Sequence, residues 1–544
     1  MAGLAATLGS GAMTNSMAEV KKAKVILVIG SNTTWNHPVF ASLLKQAVRN
    51  HGAKLIVCDP RRIDLVEFAD IWLQHINGSD VALLSGLQHI ILREGWENAE
   101  YIRERTEGFD DYRRSIDWFT PERVEEITGV PREKLYAAAQ LFATGGRAAL
   151  YYCMGITQHS HGVDNVKSCA NLSLITGNIG FEGAGVNPLR GQSNVQGACD
   201  MGCLPNVFTA YQAVAAEETR KKFSSYWRCG ELSANTGLTA TQMIPAAGEK
   251  IKALYIMGEN PMVSDPDLNH TEKCIKKLDL LIVQDIFLTE TAKMADVVFP
   301  AAAFAEKSGT ITNTERRVQV TNKAFDPPKG ARQDYEIIAG LAKKMGSKNF
   351  PATVELLWRE ITDLTPSYAG MTWERLRECG LQWPCPTKDH PGTQFLHKDK
   401  FSRGKALLTP MQYRAPAEEP DEAYPIRLST GRMLQHFHTG SMSRRAKVLD
   451  NLVPFGQIEI SSADADNYGL KTGDKVRVTT RRGSIITFAN IVDRVSKGSA
   501  FAPFHFEEAA ANRLTNSALD PIAAIPELKV CAARIERVAD VNEG

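Results

Sequence analysis

The stretch VILVIGSN, residues 25–32, is five aliphatic residues in a row followed by Gly-Ser-Asn. A short apolar run without polar alternation predicts a strand covered on both faces, as in a parallel sheet flanked by helices. HPVFASLLKQAVRNHG (37–52) then reads as a polar-faced helix, and KLIVCDPRR (54–62) as a second strand that ends in Asp59. Strand, helix, strand is the repeating unit of an α/β sheet. Ligands of such sheets bind at the carboxyl ends of the strands, where helix N-termini and backbone amides favour anions. An acid at the end of the second strand is placed for ribose hydroxyls or a base edge. The turn is not G-x-G-x-x-G, so an ordinary nicotinamide site is not supported.

The same device recurs. LYIMGEN (254–260) matches LVIGSN (27–32) at its strand–glycine–Asn turn, and LLIVQD (280–285) matches KLIVCD (54–59). Any α/β sheet offers strand–turn–strand pairs, and Asp59 and Asp285 could simply cap helices after their strands. Two copies ending in the same Asn and Asp instead suggest a duplicated nucleotide site.

Around this repeat the composition is that of a soluble globular protein. The 544 residues are 43% hydrophobic and 23% charged, with a net charge of +1, a length that predicts roughly three or four domains. So even a balance gives no reason to expect nucleic acid or an anionic membrane surface as partner. No apolar run approaches the ~18 residues of a spanning helix. Ten cysteines occur without any C-x-x-C, which argues against a zinc knuckle or a cluster-binding run and fits a reducing, cytoplasmic setting. MAGLAATLGSGAMTNSMAEVKKAK is apolar first and basic afterwards, the reverse of a signal peptide; it reads as the inside of a domain. PTKDHPGTQF (386–395) and RAPAEEPDEAYP (414–425) read as irregular linker. After them come short alternating strands with Gly and Asp turns (PIRLSTG, GQIEIS, GDKVRVTTRRGSIITF), the pattern of a β-barrel-like domain. The expected fold class is therefore α/β, with parallel-sheet nucleotide-binding domains in two related copies plus a C-terminal β-barrel. The expected divisions are 1–192, 193–412 with its linker, and 413–544.

One loop stands apart. GVNPLRGQSNVQGACDMG (185–202) is dense in glycines and side-chain amides and carries a single cation, Arg190. Glycines and amides suit a backbone passing close to a polar ligand, and a lone guanidinium can grip a small carboxylate with two parallel bonds.

With these stretches in view the chain resembles the molybdopterin oxidoreductase family and, within it, the formate dehydrogenase catalytic (alpha) subunits. The pieces that carry the resemblance run almost end to end. They are AGLAATLGSGAMTNS, VCDPRR, CMGITQ (153–158), the Arg190 loop, YIMGENP, the segment IVQDIFLTETAKMADVVFPAAAFAEKSGTITNTERRVQ, STGRMLQHFHTGSMSRR, and NRLTNSALDPIAAIPELKVCAARIE. The resemblance implies molybdenum or tungsten held between two molybdopterin guanine dinucleotides, one per half of the repeat. It implies that Asn32, Cys58, Asp59, Arg61, Gly78, Asp80, Met154, Gly155 and Gln158 line the first dinucleotide. Gly258, Glu259, Asn260, Gln284, Asp285 and Asp334 would line the second, with Arg432, His436 and Lys529 contributed by the barrel. Taken singly, His436 reads equally as a satisfied core histidine and Lys529 as a solvated surface charge. Arg190 would hold formate beside the metal, with Gln192 supporting the pterin or the arginine; the alternative is a structural ion-pair partner.

Family members also carry an N-terminal cysteine run with a [4Fe-4S] cluster, then a Cys or selenocysteine metal ligand followed by His. By resemblance this chain starts a few residues after that ligand, so no residue of it is assigned to the metal. A UGA selenocysteine codon read as a stop is the expected cause, with a truncated cysteine enzyme or a decayed gene as alternatives, and the chain alone is expected to be inactive. The implied activity is the interconversion of formate and CO2. The implied partner is an electron-transfer subunit: a diaphorase, a ferredoxin-type protein or a hydrogenase. Other bis-pterin oxidoreductases, such as nitrate reductases, and catalytically dead structural relatives are the competing readings.

Overall fold

In the structure, a computed structural model that describes residues 1–347, 350–351 and 353–538, the opening stretch is β1 (Val25–Ile29), with all five residues buried. It is the middle of a five-stranded sheet with β2 (Lys54–Cys58), β3 (Ile71–Leu73), β4 (Ala148–Tyr152) and β5 (Gly185–Pro188). The order is β3-β2-β1-β4-β5 and every pairing is parallel. The apolar start of the chain forms α1 (Ala2–Leu8), whose Leu4 and Leu8 belong to the core beneath this sheet. Between β1 and β2 runs α2 (Pro38–His51). Proline opens it, where a missing N–H costs nothing, and Gly52 ends it at φ +71. Its Phe40, Ala41, Leu44 and Ala47 are buried, the spacing of one helical face. From β3 the chain passes through α3 (Asp80–Arg93) and returns to the other side of β1 as β4; α4 (Gly162–Ile175) connects β4 to β5. Strand order thus reverses between β1 and β4, the position at which such sheets open a ligand crevice.

The second sheet consists of β6 (Ala253–Met257), β7 (Leu280–Asp285) and β8 (Val297–Pro300), again parallel. It reproduces β1–β2–β3 down to single hydrogen bonds. Gly30 N donates to Cys58 O at 3.1 Å, and Gly258 N to Gln284 O at 2.9 Å. Leu55 N donates to Asp70 Oδ2 at 2.9 Å, and Leu281 N to Asp296 Oδ2 at 2.7 Å. Both turn glycines have positive φ, +57 and +63. An antiparallel sheet follows, of β9 (Gly309–Thr312), β10 (Arg317–Thr321) and β11 (Leu381–Gln382).

The C-terminal part is a closed barrel. Its strands are β12 (Ile426–Gly431), β13 (Gln457–Ile460), β14 (Lys475–Thr479), β15 (Ser484–Ile491), β16 (Ser499–Pro503) and β17 (Cys531–Arg537). They close in the order β12-β16-β13-β15-β14-β17. Alternation puts Val476 and Val478 inside while Lys475 and Arg477 face out. The expected class, two related parallel-sheet parts and a barrel, is the observed one.

By packing, the chain forms two units. One comprises Met1–Leu189, Met262–Thr271 and Phe395–Gly544; the other comprises Arg190–Pro261 and Glu272–Gln394. The first sheet and the barrel share a unit and are joined directly: Arg62 N donates to Arg494 O at 2.8 Å and Gln74 Nε2 to Ser496 Oγ at 2.8 Å. Among the described residues no helix is long and apolar enough to cross a membrane.

Candidate functional site

The loops leaving β1 and β4 touch at the point of strand reversal. Gly155 N donates to Gly30 O at 3.0 Å. A Cβ on Gly155 would lie 2.6 Å from the Gly30 backbone, so no larger residue fits there. Asn32 follows β1 and starts the short helix Thr33–Asn36; its Oδ1 is buried without a partner among the described residues. Met154 and Gln158 flank the matching turn after β4, and Gln158 O accepts from Leu528 N at 3.2 Å. Gly78 has φ +87, and a side chain there would meet Pro416 at 2.3 Å.

At the end of β2, Cys58 and Asp59 are buried together. Burial, then Asp80 and Asp59, push the Cys58 thiol up. Burial also raises the Asp59 carboxyl, against the Arg61 N–H that it accepts at 2.9 Å. Asp80, the first residue of α3, meets His75 Nε2 at 3.1 Å and His159 Nε2 at 3.7 Å. Burial opposes both charges, but the pair outweighs it: Asp80 is held below the usual carboxylate range and His75 above the usual imidazole one.

Positive charge collects on the barrel side. Lys529 is buried, donates to Thr430 O at 2.6 Å, and is pushed down to about 8 by burial, with Arg61 adding to the effect. Arg61 lies over the Phe501 ring at 3.5 Å and pairs with Glu459 at 2.7 Å. Arg432 is lowered mainly by burial and in turn helps hold His37 down to about 4, after burial itself. Desolvated cations of this kind are stabilised by an anionic ligand. Tight glycines, an orphaned buried amide oxygen and buried cations together fit a dinucleotide diphosphate with its polar head. His436 differs from that pattern. Its Nδ1 meets Ser443 Oγ at 3.2 Å and its Nε2 meets Val453 O at 2.8 Å, so both ring nitrogens are engaged by protein.

The second unit holds the other half of the expected residues at the ends of β6 and β7. Gly258 is open, with nothing within 4 Å of where a Cβ would stand, and Glu259 is exposed. Asn260 is buried and ties the following loop: its Nδ2 donates to Glu290 at 2.7 Å and its Oδ1 accepts from Thr291 Oγ1 at 2.7 Å. Gln284 donates to Asp334 Oδ1 at 2.7 Å and accepts from the Tyr255 hydroxyl, while Lys307 pairs with Asp334 Oδ2. Asp285 Oδ1 accepts from Ile286 N at 2.7 Å.

Arg190 lies in the same unit. Its backbone N donates to Thr314 Oγ1 at 3.0 Å, and its Nε and Nη2 approach Gln196 Oε1 at 3.4 and 3.3 Å. The side-chain amide of Gln196 thus lies against its guanidinium. Gln192 is exposed. Sequence reasoning did not single out His37, His75, His159, His161 and Glu527, which stand beside Arg432, Asp80 and one another, or Gln196 and Asp200 behind Arg190. The QHSHG run that overlaps the end of CMGITQ was the signal for two of the first group; Gln196 and Asp200 stand inside the Arg190 loop itself.

Residues 4–344 match the molybdopterin oxidoreductase family, and residues 426–532 match a "Molydopterin dinucleotide binding domain". The chain is 51% identical over 540 residues to the F420-dependent formate dehydrogenase subunit alpha of Methanocaldococcus jannaschii, covering 98% of this chain and 80% of that one. It is 39% identical over 547 residues to formate dehydrogenase H of Escherichia coli, covering 99% and 76%. Among solved structures, acetylene hydratase from Pelobacter acetylenicus superposes with a TM-score of 0.75 at 21% identity, over 98% of this chain and 80% of that one, a likeness of fold. With the family match spanning the first sheet, the Arg190 loop and the second sheet, the chain belongs to the molybdopterin oxidoreductases.

Proposed function

We propose that this chain is the catalytic subunit of a formate dehydrogenase, interconverting formate with CO2, one proton and two electrons. The observation that carries the reading is Arg190, a guanidinium held by an amide in a loop that lies within a family match and within relatives named formate dehydrogenases. A planar fork grips a planar carboxylate with two parallel hydrogen bonds and so fixes where the single C–H points. A lysine ammonium, a point charge, cannot do this.

The cofactor we assign is molybdopterin guanine dinucleotide in two copies with molybdenum or tungsten, which when bound supplies the acceptor for the two electrons. Asn32, Asp59, Arg61, Gly155 and Lys529 would hold one dinucleotide; Gly258, Asp285 and Asp334 would hold the other. The duplicated hydrogen bonds of the two sheets support the pairing. On this reading 1–192 and 193–412 each serve one dinucleotide and 413–544 is a further dinucleotide-binding domain. Relatives named as alpha subunits, three of them F420-dependent, support an electron-transfer partner subunit, of diaphorase, ferredoxin, hydrogenase or F420-linked type. A cytoplasmic setting agrees with the free-thiol usage.

The test is dye reduction by the holoenzyme. Formate should drive it and nitrate should not be reduced. Arg190→Lys should lower kcat/KM for formate by roughly 10- to 100-fold, the worth of one charge-assisted hydrogen bond, with metal and pterin content unchanged. Nitrate turnover without formate turnover would overturn the reading.

A further inference from the structure

Gln196 is buried between two groups of opposite demand. Its Oε1 faces Arg190, while its Nε2 donates to Asp200 Oδ1 at 2.8 Å and to the Tyr211 hydroxyl at 3.0 Å. A primary amide has one accepting and one donating end, and an ionised carboxylate can accept but not donate. Asp200 therefore decides which way the amide points. Turned over, the amide would set its NH2 against the guanidinium and its oxygen against the carboxylate.

Asp200 is itself held as an acceptor. The Tyr211 hydroxyl donates to Oδ1 at 2.7 Å; the Tyr368 hydroxyl and Trp383 Nε1 reach Oδ2 at 2.6 and 2.7 Å. An indole N–H can only donate, so Oδ2 must accept. Tyr211 takes the Gln196 N–H on its oxygen, which turns its own proton to Oδ1. Every group in this arrangement belongs to one packing unit.

We infer that Asp200 and Gln196 are positioning residues for formate: the carboxylate fixes the amide, and the amide fixes the guanidinium plane and hence the edge of Arg190 that meets the substrate. The inference rests on the reading of Arg190 as the formate-binding group. Its rival is a purely structural Asp200 that anchors Tyr211, Tyr368 and Trp383 in the core. The two differ in coupling. A residue that acts through the orientation of a guanidinium loses its effect when the guanidinium is replaced by an ammonium, which has no plane to orient.

The experiment uses the holoenzyme as wild type, Asp200→Asn, Gln196→Met and Arg190→Lys, with each of the first two also combined with Arg190→Lys. Asp200→Asn and Gln196→Met should each lower kcat/KM for formate about 10- to 100-fold with unchanged metal and pterin content. In the Arg190→Lys background the same changes should cost less than about 3-fold, since interacting sites are non-additive. Gln196→Met leaves the other three donors on Asp200, so it carries the test should Asp200→Asn fail to fold. Crystal structures give a readout free of turnover: the guanidinium should rotate out of its wild-type plane in Gln196→Met. Full, additive losses in both backgrounds, or an unmoved guanidinium in Gln196→Met, would overturn the inference. A wild-type holoenzyme that oxidises no formate would instead overturn the proposed function, and the guanidinium orientation then decides the positioning device alone.

Discussion

Lys529 carries a cost that the bound ligand is expected to remove. Its pKa is pushed down to about 8 from the ordinary 10.5, chiefly by burial. Between those two values the folded protein binds fewer protons at this site than the unfolded chain, so stability rises with pH across the window. Below about 8 the penalty is present in full, of order 3 kcal/mol. In cofactor-free protein, the unfolding free energy of wild type relative to Lys529→Met should therefore improve by roughly 2–3 kcal/mol between pH 7 and pH 10. Urea titrations at several pH values measure this. A difference that does not change with pH would show that Lys529 keeps an ordinary pKa. An anionic dinucleotide beside the ammonium should flatten the dependence in the holoenzyme, because it favours the charged form.

At the scale of elements, the two strand–glycine–strand copies share backbone hydrogen bonds but not surroundings. Gly155 packs on Gly30 with no room for a methyl group, and a Cβ there would also meet Gly30 O at 2.6 Å. Gly258, the counterpart of Gly30, has φ +63 and open space around it. Gly155→Ala must push two backbone loops apart at the strand reversal, an overpacking cost of about 1–3 kcal/mol or more. Gly258→Ala pays only for a left-handed backbone, about 1 kcal/mol. Thermal unfolding of the two variants should show the larger loss for Gly155→Ala. Pterin retention should fall with it, because on the proposed reading those loops hold the first dinucleotide. Equal losses would mean that the contact between the loops is not tight.

At the scale of the whole molecule, the first sheet and the barrel are tied through one buried carboxylate. Glu459 on β13 accepts from Arg61 at 2.7 Å and pairs with Arg494. Removing a buried partner leaves charge uncompensated, so Glu459→Gln should cost about 3 kcal/mol. It should lower the single melting transition of the unit that contains sheet and barrel, without splitting it. A barrel that melts separately would show that the tie is weak. The duplicated half-sites make a further prediction. Asp59→Ala and Asp285→Ala should each reduce the guanine dinucleotide recovered per protein, since each removes an acceptor from a polar ligand. Unchanged recovery in Asp285→Ala would remove the second half-site from the proposal.

Local chemistry was enough to read the strands. Five aliphatic residues in a row must be buried on both faces, and alternation such as KVRV must show one face to solvent; β1, β2 and the barrel strand β14 follow from that, whereas β6 is a strand of the same pattern left half open, with Ala253 and Met257 exposed. The duplication was legible too, because the glycine turn and the closing Asp are local features repeated in both copies. The order of the strands, and hence the reversal between β1 and β4, depended on how helices cover the sheet and was decided by tertiary packing. So were the polar partnerships. Tyr368 and Trp383 reach Asp200 across 168 and 183 residues, and His75 and His159 converge on Asp80 from opposite sides of it in the chain. A residue's type states what bond it can make; which distant group arrives to make it is settled only when the apolar faces have packed and left those two atoms buried together.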